Sequence, residues 1–413
     1  MSRCLLKIVF VIGFVYINLF FIQSHAAREN DLLRFISISD IHFDPFITCY
    51  REKTGKPCPL IGKLQRAPIE EWAELFMQYD TDPPYYKLNT NYPLLNFALT
   101  VAKNIAKQND AQFILVLGDF IGHDYQKYYE KYSMDYSESG YQLFFKKTLE
   151  YLTHELTKAF PNIDVFPVIG NNDSYYGDYI FHRNGEFYNV LQSIWISLIK
   201  DKTNRTLMKT SFLEGGYYVA EIPHHPDLRL IVLNTVLFSN RAIGRGINQA
   251  AWEELNWLHK QLELAHSKHQ HVMIAMHIPP GVDIYASLEF RLFRLLDLWK
   301  LEYTKRFESE LREFASDILI IFAGHLHTDW FQVLTLNNIH RIPITGTPSV
   351  SPIYGNNPGF KLYTYSAKSQ RIVNFETYSY SIHTNHLWQR ESYRNRYNHN
   401  KFSEVISKLM LSA

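Results

Sequence analysis

The sequence predicts an α/β fold with a largely parallel, buried sheet, on three observations. Short apolar runs recur: FILVL at Phe113–Leu117, HVMIAM at His271–Met276 and ILIIF at Ile318–Phe322. They are too brief for core helices and too uniformly apolar for strands that face water on one side. Longer segments with helical spacing of apolar residues separate them, the alternation that builds parallel sheets flanked by helices. Finally, 413 residues at 46% hydrophobic and 15% aromatic content suffice for a large core.

In chain order, Leu33–Ser39 (LRFISIS) alternates and is rich in β-formers, so it is the first expected strand. Residues 44–92 carry many Pro, Tyr and charged residues and read as an irregular insertion with one helix, at Ile69–Gln78. Tyr92–Lys107 places Leu95, Leu99, Ala102 and Ala106 on one helical face. Phe113–Leu117 follows as a strand, then a helix at Tyr141–Phe160 and a strand at Val165–Ile169. Strands are next expected at Gly216–Glu221 and Leu228–Asn234. The segment Gln249–Ala265 is helical, with Trp252, Leu255, Leu258 and Leu262 as its apolar stripe. The strand His271–Met276, a helix at Tyr303–Phe314 and the strand Ile318–Phe322 complete the alternation. From Thr377 the composition turns to His, Asn, Arg and Tyr, and Phe402–Met410 is amphipathic, so 377–413 reads as a small helical extension of a catalytic domain at 27–376.

The N-terminus has the pattern of a secretory signal peptide at 1–26: basic residues before Ile8, an apolar stretch Leu5–Ile22, and Ser24-His25-Ala26 as a small-x-small cleavage site. The stretch approaches spanning length, so a retained anchor is the alternative. Without it, Cys49 and Cys58 are the remaining cysteines, and in an oxidising compartment they are expected to form one disulfide. A net charge of +1 argues against a general nucleic-acid-binding surface. Any pull on anionic substrates must therefore be local.

Five strand ends share one feature. A polar residue suited to metal binding stands on or just beyond each: Asp40 with His42, Asp119, Asn171, His277, and His325 with His327. Ligands of α/β sheets gather at the carboxyl ends of strands, so residues far apart in sequence can converge there. Three side-chain oxygens and four imidazoles suit zinc, iron or manganese better than calcium or magnesium. A two-metal site of this kind clamps a phosphoryl group and activates a water for in-line displacement. Singly, an Asp-x-His or a Gly-Asp in a turn carries little information; the ordered set carries much more.

Asp40-x-His42, Gly118-Asp119, Gly170-Asn171, His277 and Gly324-His325-x-His327 resemble the five ordered motifs of the calcineurin-like metallophosphoesterases. The resemblance covers 33 to about 365. It implies two facing mixed sheets flanked by helices, a four-layer α/β/β/α sandwich. It implies that Asp40, His42 and His327 hold one divalent ion and Asn171, His277 and His325 the other, with Asp119 bridging, most simply two zinc ions. Asp40-Ile41-His42-Phe43-Asp44-Pro45, the His123 that follows Gly118-Asp119, and the segment Thr347–Phe360 are similar to acid sphingomyelinase-like phosphodiesterases. The substrate so implied is a phosphoester: a nucleotide, a phospholipid head group or polyphosphate.

The chain shows no cysteine-rich saposin-like module before the first motif and few cysteines, which favours soluble phosphoesters over sphingomyelin. The second departure is Asn172, where the family typically has histidine. Asn172 can donate a hydrogen bond but supplies no proton at ordinary pH. His123, on the same strand-end loop as Asp119, is the expected phosphate ligand or general acid, and Asn172 its weaker companion. A fold that kept its ligands but lost catalysis is the rival from another class; a phosphomonoesterase or endopolyphosphatase is the rival within hydrolases. The enzyme is expected as a monomer, secreted, periplasmic or lysosomal/vacuolar, with no stable membrane anchor once the signal is cleaved. Tyr175, Tyr176 and Tyr354 are candidate pocket walls, His182 a weaker one, and Asn204-Arg205-Thr206 is a glycosylation sequon.

Overall fold

A computed structural model describes residues 31–51, 53, 55–283, 287, 295–336, 340–382 and 388–392. The expected signal segment and the Phe402–Met410 helix lie outside them. The strands are β1 (Leu32–Ile38), β2 (Phe113–Val116), β3 (Asp164–Pro167), β4 (Tyr218–Ile222), β5 (His225–Val232) and β6 (His271–Ala275). They continue with β7 (Ile318–Ala323), β8 (Trp330–Thr335), β9 (Arg341–Gly346), β10 (Gly359–Ser366), β11 (Arg371–Tyr380) and β12 (Trp388–Ser392).

Two mixed sheets form. The first runs β12-β11-β10-β1-β2-β3, the second β4-β5-β6-β7-β9-β8. In the first, β1, β2 and β3 are parallel, with Ile36 beside Ile114 and Ile114 beside Val165. In the second, β5, β6, β7 and β9 are parallel. Antiparallel strands finish each sheet. The parallel strands are almost wholly buried, which is why they read as unbroken apolar runs rather than alternating ones.

The sheets face each other across an aromatic core. Phe35 of β1 stacks on Phe113 and Tyr363 of its own sheet and meets Phe322 of β7 edge-on at 5.4 Å. Polar ties cross the same interface: Thr345 to Tyr363, and the buried Lys361 ammonium to Asp329 at 2.7 Å. Helices Tyr92–Gln108 and Glu138–Ala159 lie on the first sheet's side, Ile247–Ser267 and Leu301–Glu313 on the second's. Asn91 and Ser137 cap the first two by accepting the N–H groups of Leu94 and Gly140. The expected four-layer sandwich is present.

Several expectations change. Residues 44–92 hold helices at Ile47–Arg51, Pro59–Arg66 and Trp72–Tyr79 rather than one, and Cys49 is bonded to Cys58 across the first two, as expected. Helices Glu186–Trp195 and Lys202–Gly215 occupy a stretch left without elements. The boundary at 376/377 falls inside β11, and β12 extends the same sheet, so the catalytic unit runs to at least Ser392. Those strands have polar and aromatic side chains on a half-covered edge, and so lack the apolar signature of the central strands. Asn204 is buried, and its side chain is fully engaged with Asp164 and the backbone of Glu221, which removes it as a glycan acceptor in the folded chain.

Candidate metal centre

The five loops leave the carboxyl ends of β1, β2 and β3 in one sheet and of β6 and β7 in the other. The site therefore sits on the seam between the sheets. Adjacent loops are tied by backbone bonds: Asp40 N–H to Gly118, His42 N–H to Asp119, Gly324 N–H to His277. Space at this seam is tight. A Cβ on Gly170 would lie 2.1 Å from the Asp119 nitrogen, and one on Gly324 2.2 Å from Ser39 Oγ. Glycine therefore precedes Asn171 and His325 because neighbouring strand ends press against it.

Asp40, His42, Asp119, His325 and His327 all have positive φ, between 43° and 68°. Non-glycine residues rarely hold this left-handed conformation, and its concentration on ligand candidates marks a site that the surrounding hydrogen bonds enforce. Asp173 is one enforcer. Its buried carboxylate accepts the N–H groups of Asp119 (2.9 Å), Phe120 (2.6 Å), Ile121 (3.3 Å) and Gly170 (2.8 Å), and so pins the β2 loop to the β3 loop.

All seven expected ligands come together. Asp40, His42 and His327 form one compact group, and Asp119, His277 and His325 another. His42 and His327 bring their Nε2 atoms to 3.1 Å, and Asp40 Oδ1 lies 3.3 Å from the latter. Asp119 Oδ2 lies 3.4 Å from His42 Nε2 and 3.4 Å from His277 Nε2, so it faces both groups. Asn171 turns Oδ1 toward His277 Nε2 (3.0 Å) and gives its amide N–H to Asp178 (2.8 Å).

The donor set fits cations. Because a carbonyl only accepts, His42 Nδ1 donates to Ile121 (3.2 Å) and His277 Nδ1 to Leu117 (2.7 Å), which directs both Nε2 atoms inward. Burial, reinforced by neighbouring imidazoles, holds His42, His325 and His327 below their ordinary range, His325 to about 3. Burial also pushes Asp40 up to about 7. Burial would lower His277, but the Asp119 and Asp40 carboxylates override it and lift it to about 9. Asp119 is held well below its usual value despite burial, by His277 and His42. Burial thus keeps His42, His325 and His327 neutral beside the buried Asp119 carboxylate, leaving lone pairs and negative charge that divalent cations satisfy.

Around these groups lies a cavity of about 200 Å³ walled by His123, Asp178, Tyr179, Arg241, Asp283 and Tyr354. His123 stacks on His42 at 4.2 Å and is anchored through Nδ1 to Asn89 Oδ1 (3.1 Å), while Asn89 also donates to Asp44 (3.1 Å). Burial holds His123 below the usual imidazole range. Asn172 turns to Asp119, with its backbone and side-chain N–H groups on the two carboxylate oxygens. Tyr354 borders the cavity as expected, but Tyr175 and Tyr176 pack on each other and on Phe187. His182 accepts the Arg245 N–H beside Tyr176 instead of lining the cavity. Sequence reasoning missed Asp173, Asp178, Arg241 and Asp283. Asp173 alone had a signal, as the carboxylate immediately after two candidate amides.

Among the described residues no helix is long and apolar enough to cross a membrane. The family model of calcineurin-like phosphoesterases matches residues 33–329. Sphingomyelinase phosphodiesterase D of Dictyostelium discoideum is 28% identical over 367 residues, covering 86% of this chain and 76% of that protein. Acid sphingomyelinase-like phosphodiesterase 3b of Mus musculus is 25% identical over 372 residues, 87% of this chain and 73% of the other. Human cyclic GMP-AMP phosphodiesterase SMPDL3A is 26% identical over 239 residues, 55% of this chain and 49% of its own length, so the match spans about half of that relative. With seven ligand candidates gathered at the strand ends and a match covering most of its length, the chain belongs to the calcineurin-like phosphoesterase family of phosphoric ester hydrolases.

Proposed function

We propose that this chain is an exported phosphoesterase that holds two divalent metal ions and hydrolyses phosphodiester or related phosphoester bonds, in the manner of acid sphingomyelinase-like enzymes. The observation that carries the proposal is Asp119, whose Oδ2 stands 3.4 Å from an imidazole nitrogen of each ligand group. One carboxylate facing both groups fits an ion pair with a shared ligand better than two isolated sites. Asp40, His42 and His327 would hold one ion, and Asn171, His277 and His325 the other, with zinc the first expectation and iron or manganese the alternatives. Bound there, the ions supply Lewis acidity toward a phosphoryl group and make water a better nucleophile.

The chain's own residues orient and protonate. Asn172 fixes the Asp119 carboxylate, and Asp178 fixes the Asn171 amide with its oxygen inward. His123, held on Asn89 through Nδ1, faces the same cavity, and in its protonated form, which acidic solution favours, its Nε2 would bind a phosphoryl oxygen or protonate a departing alkoxide. Among the described residues it is the one cavity histidine outside the ligand groups. Because the Asn172 amide serves Asp119 and carries no acidic proton, substrates whose leaving group needs little protonation also suit the site. That observation keeps phosphomonoester or polyphosphate hydrolysis as the second reading. The Cys49–Cys58 disulfide supports export.

The test is metal analysis together with hydrolysis of bis(p-nitrophenyl) phosphate, p-nitrophenyl phosphate, sphingomyelin and polyphosphate at acidic and neutral pH. Turnover of a diester by the metal-replete protein is expected. Binding of metal with no hydrolysis of any of the four would favour a scaffold that has lost catalysis.

A further inference from the structure

We propose that Arg241 and Tyr179 form an anion subsite beside the metal groups, which selects phosphoesters carrying a second negative group, such as another phosphate, next to the scissile one. This rests on the phosphoesterase reading above. The ligand groups would recognise one phosphoryl group whatever it carries, so choice among substrates falls to the cavity wall. Among the described residues Arg241 is the one lysine or arginine on that wall, against Asp178 and Asp283. Its side chain is exposed, and its guanidinium lies 5.4 Å over the Tyr179 ring.

Position is fixed from both sides. The loop that carries Arg241 is anchored where the Asn240 amide donates to Asp297 (2.7 Å) and Trp299 (2.8 Å). It is laced to the Tyr179 loop by Ile243 N–H to Tyr179 and Phe181 N–H to Ile243, each 3.0 Å. The Tyr179 hydroxyl stands 3.5 Å from His325 Nε2, so the pair adjoins one ligand group directly. The Tyr179 hydroxyl, more than Asp283 and Asp178, raises the guanidinium's affinity for its proton. A guanidinium has five N–H donors in a planar fork that matches phosphate oxygens. The Tyr179 hydroxyl can donate or accept.

The experiment is calorimetric titration of the metal-loaded full chain with the non-hydrolysable 5′-methylenephosphonate isostere of AMP and with α,β-methylene-ADP, which adds a second phosphonate through an uncleavable P–C–P link. Native protein is expected to bind the diphosphonate analogue about tenfold tighter or more, the scale of a charge-assisted contact. In Arg241→Gln that ratio collapses toward one, and in Arg241→Lys part of it remains. The readout is the ratio, so a general loss of affinity does not mimic the result. A native protein without the preference, or an Arg241→Gln protein that keeps it, overturns the subsite. Binding is read without turnover: a native protein that shows the preference but hydrolyses no phosphoester would refute the proposed activity and leave the subsite standing.

Discussion

Asn172 grips Asp119 at both oxygens, its backbone N–H on Oδ1 at 2.8 Å and its side-chain amide on Oδ2 at 3.0 Å. The residue that departs from the family's usual histidine therefore orients the carboxylate shared by the two ligand groups. In Asn172→Ala the backbone contact persists and the side-chain contact is lost. Loss of such an outer hydrogen bond typically lowers metal affinity or activity by about 10–100-fold. A titration of activity against added metal checks this, and the curve is expected to shift to higher metal concentration.

His123 is mounted through Asn89, which is itself held by Asp44. His123→Ala should leave metal content intact and reduce turnover by about 100-fold or more, the usual contribution of a positioned acid or base. Asn89→Ala should lower kcat by a smaller factor with unchanged metal content. Equal metal content with full activity in both variants would assign the proton to another group.

Lys361 and Asp329 form a buried ion pair between the sheets, and Lys361 Nζ also donates to the Gly346 carbonyl at 2.7 Å. Asp329→Ala strands a buried ammonium and should cost roughly 3–5 kcal/mol. Replacing both partners, Lys361→Met with Asp329→Leu, should cost less, because no uncompensated charge remains. Urea unfolding of the single and double variants measures the difference.

His259 bonds Glu310 through Nδ1 at 2.6 Å, and that bond, opposed by slight burial, lifts it above its ordinary 6.5. The folded state then holds the proton more tightly than the unfolded one. The stabilisation is fully present below the unfolded value and fades as pH rises through the raised folded value. Native protein and His259→Gln should differ in urea midpoint in mildly acidic solution and converge in alkaline solution. A gap that widened with pH would contradict the assignment.

The clustering of the expected ligands was legible because each follows a short strand buried on both faces, and such strands announce themselves as apolar runs ending in a polar residue. The cavity wall was not. Asp178, Arg241 and Asp283 lie in loops whose course depends on contacts between segments distant in sequence, such as the Ile180–Ile243 bridge. Local periodicity carries no trace of those contacts. The same limit hid β11 and β12, whose mixed side chains suit a partly covered sheet edge, and made Asn204 look like a surface sequon when its amide caps a strand end. The α/β class could be read from periodicity; its double-sheet form came from resemblance.

The most direct test is metal content and hydrolysis of bis(p-nitrophenyl) phosphate measured together on native protein and Asp119→Ala. Two equivalents of divalent metal are expected in the native chain, with loss of metal and of turnover in the variant. An Asp119→Ala protein that keeps both equivalents and full activity would contradict the shared-ligand centre.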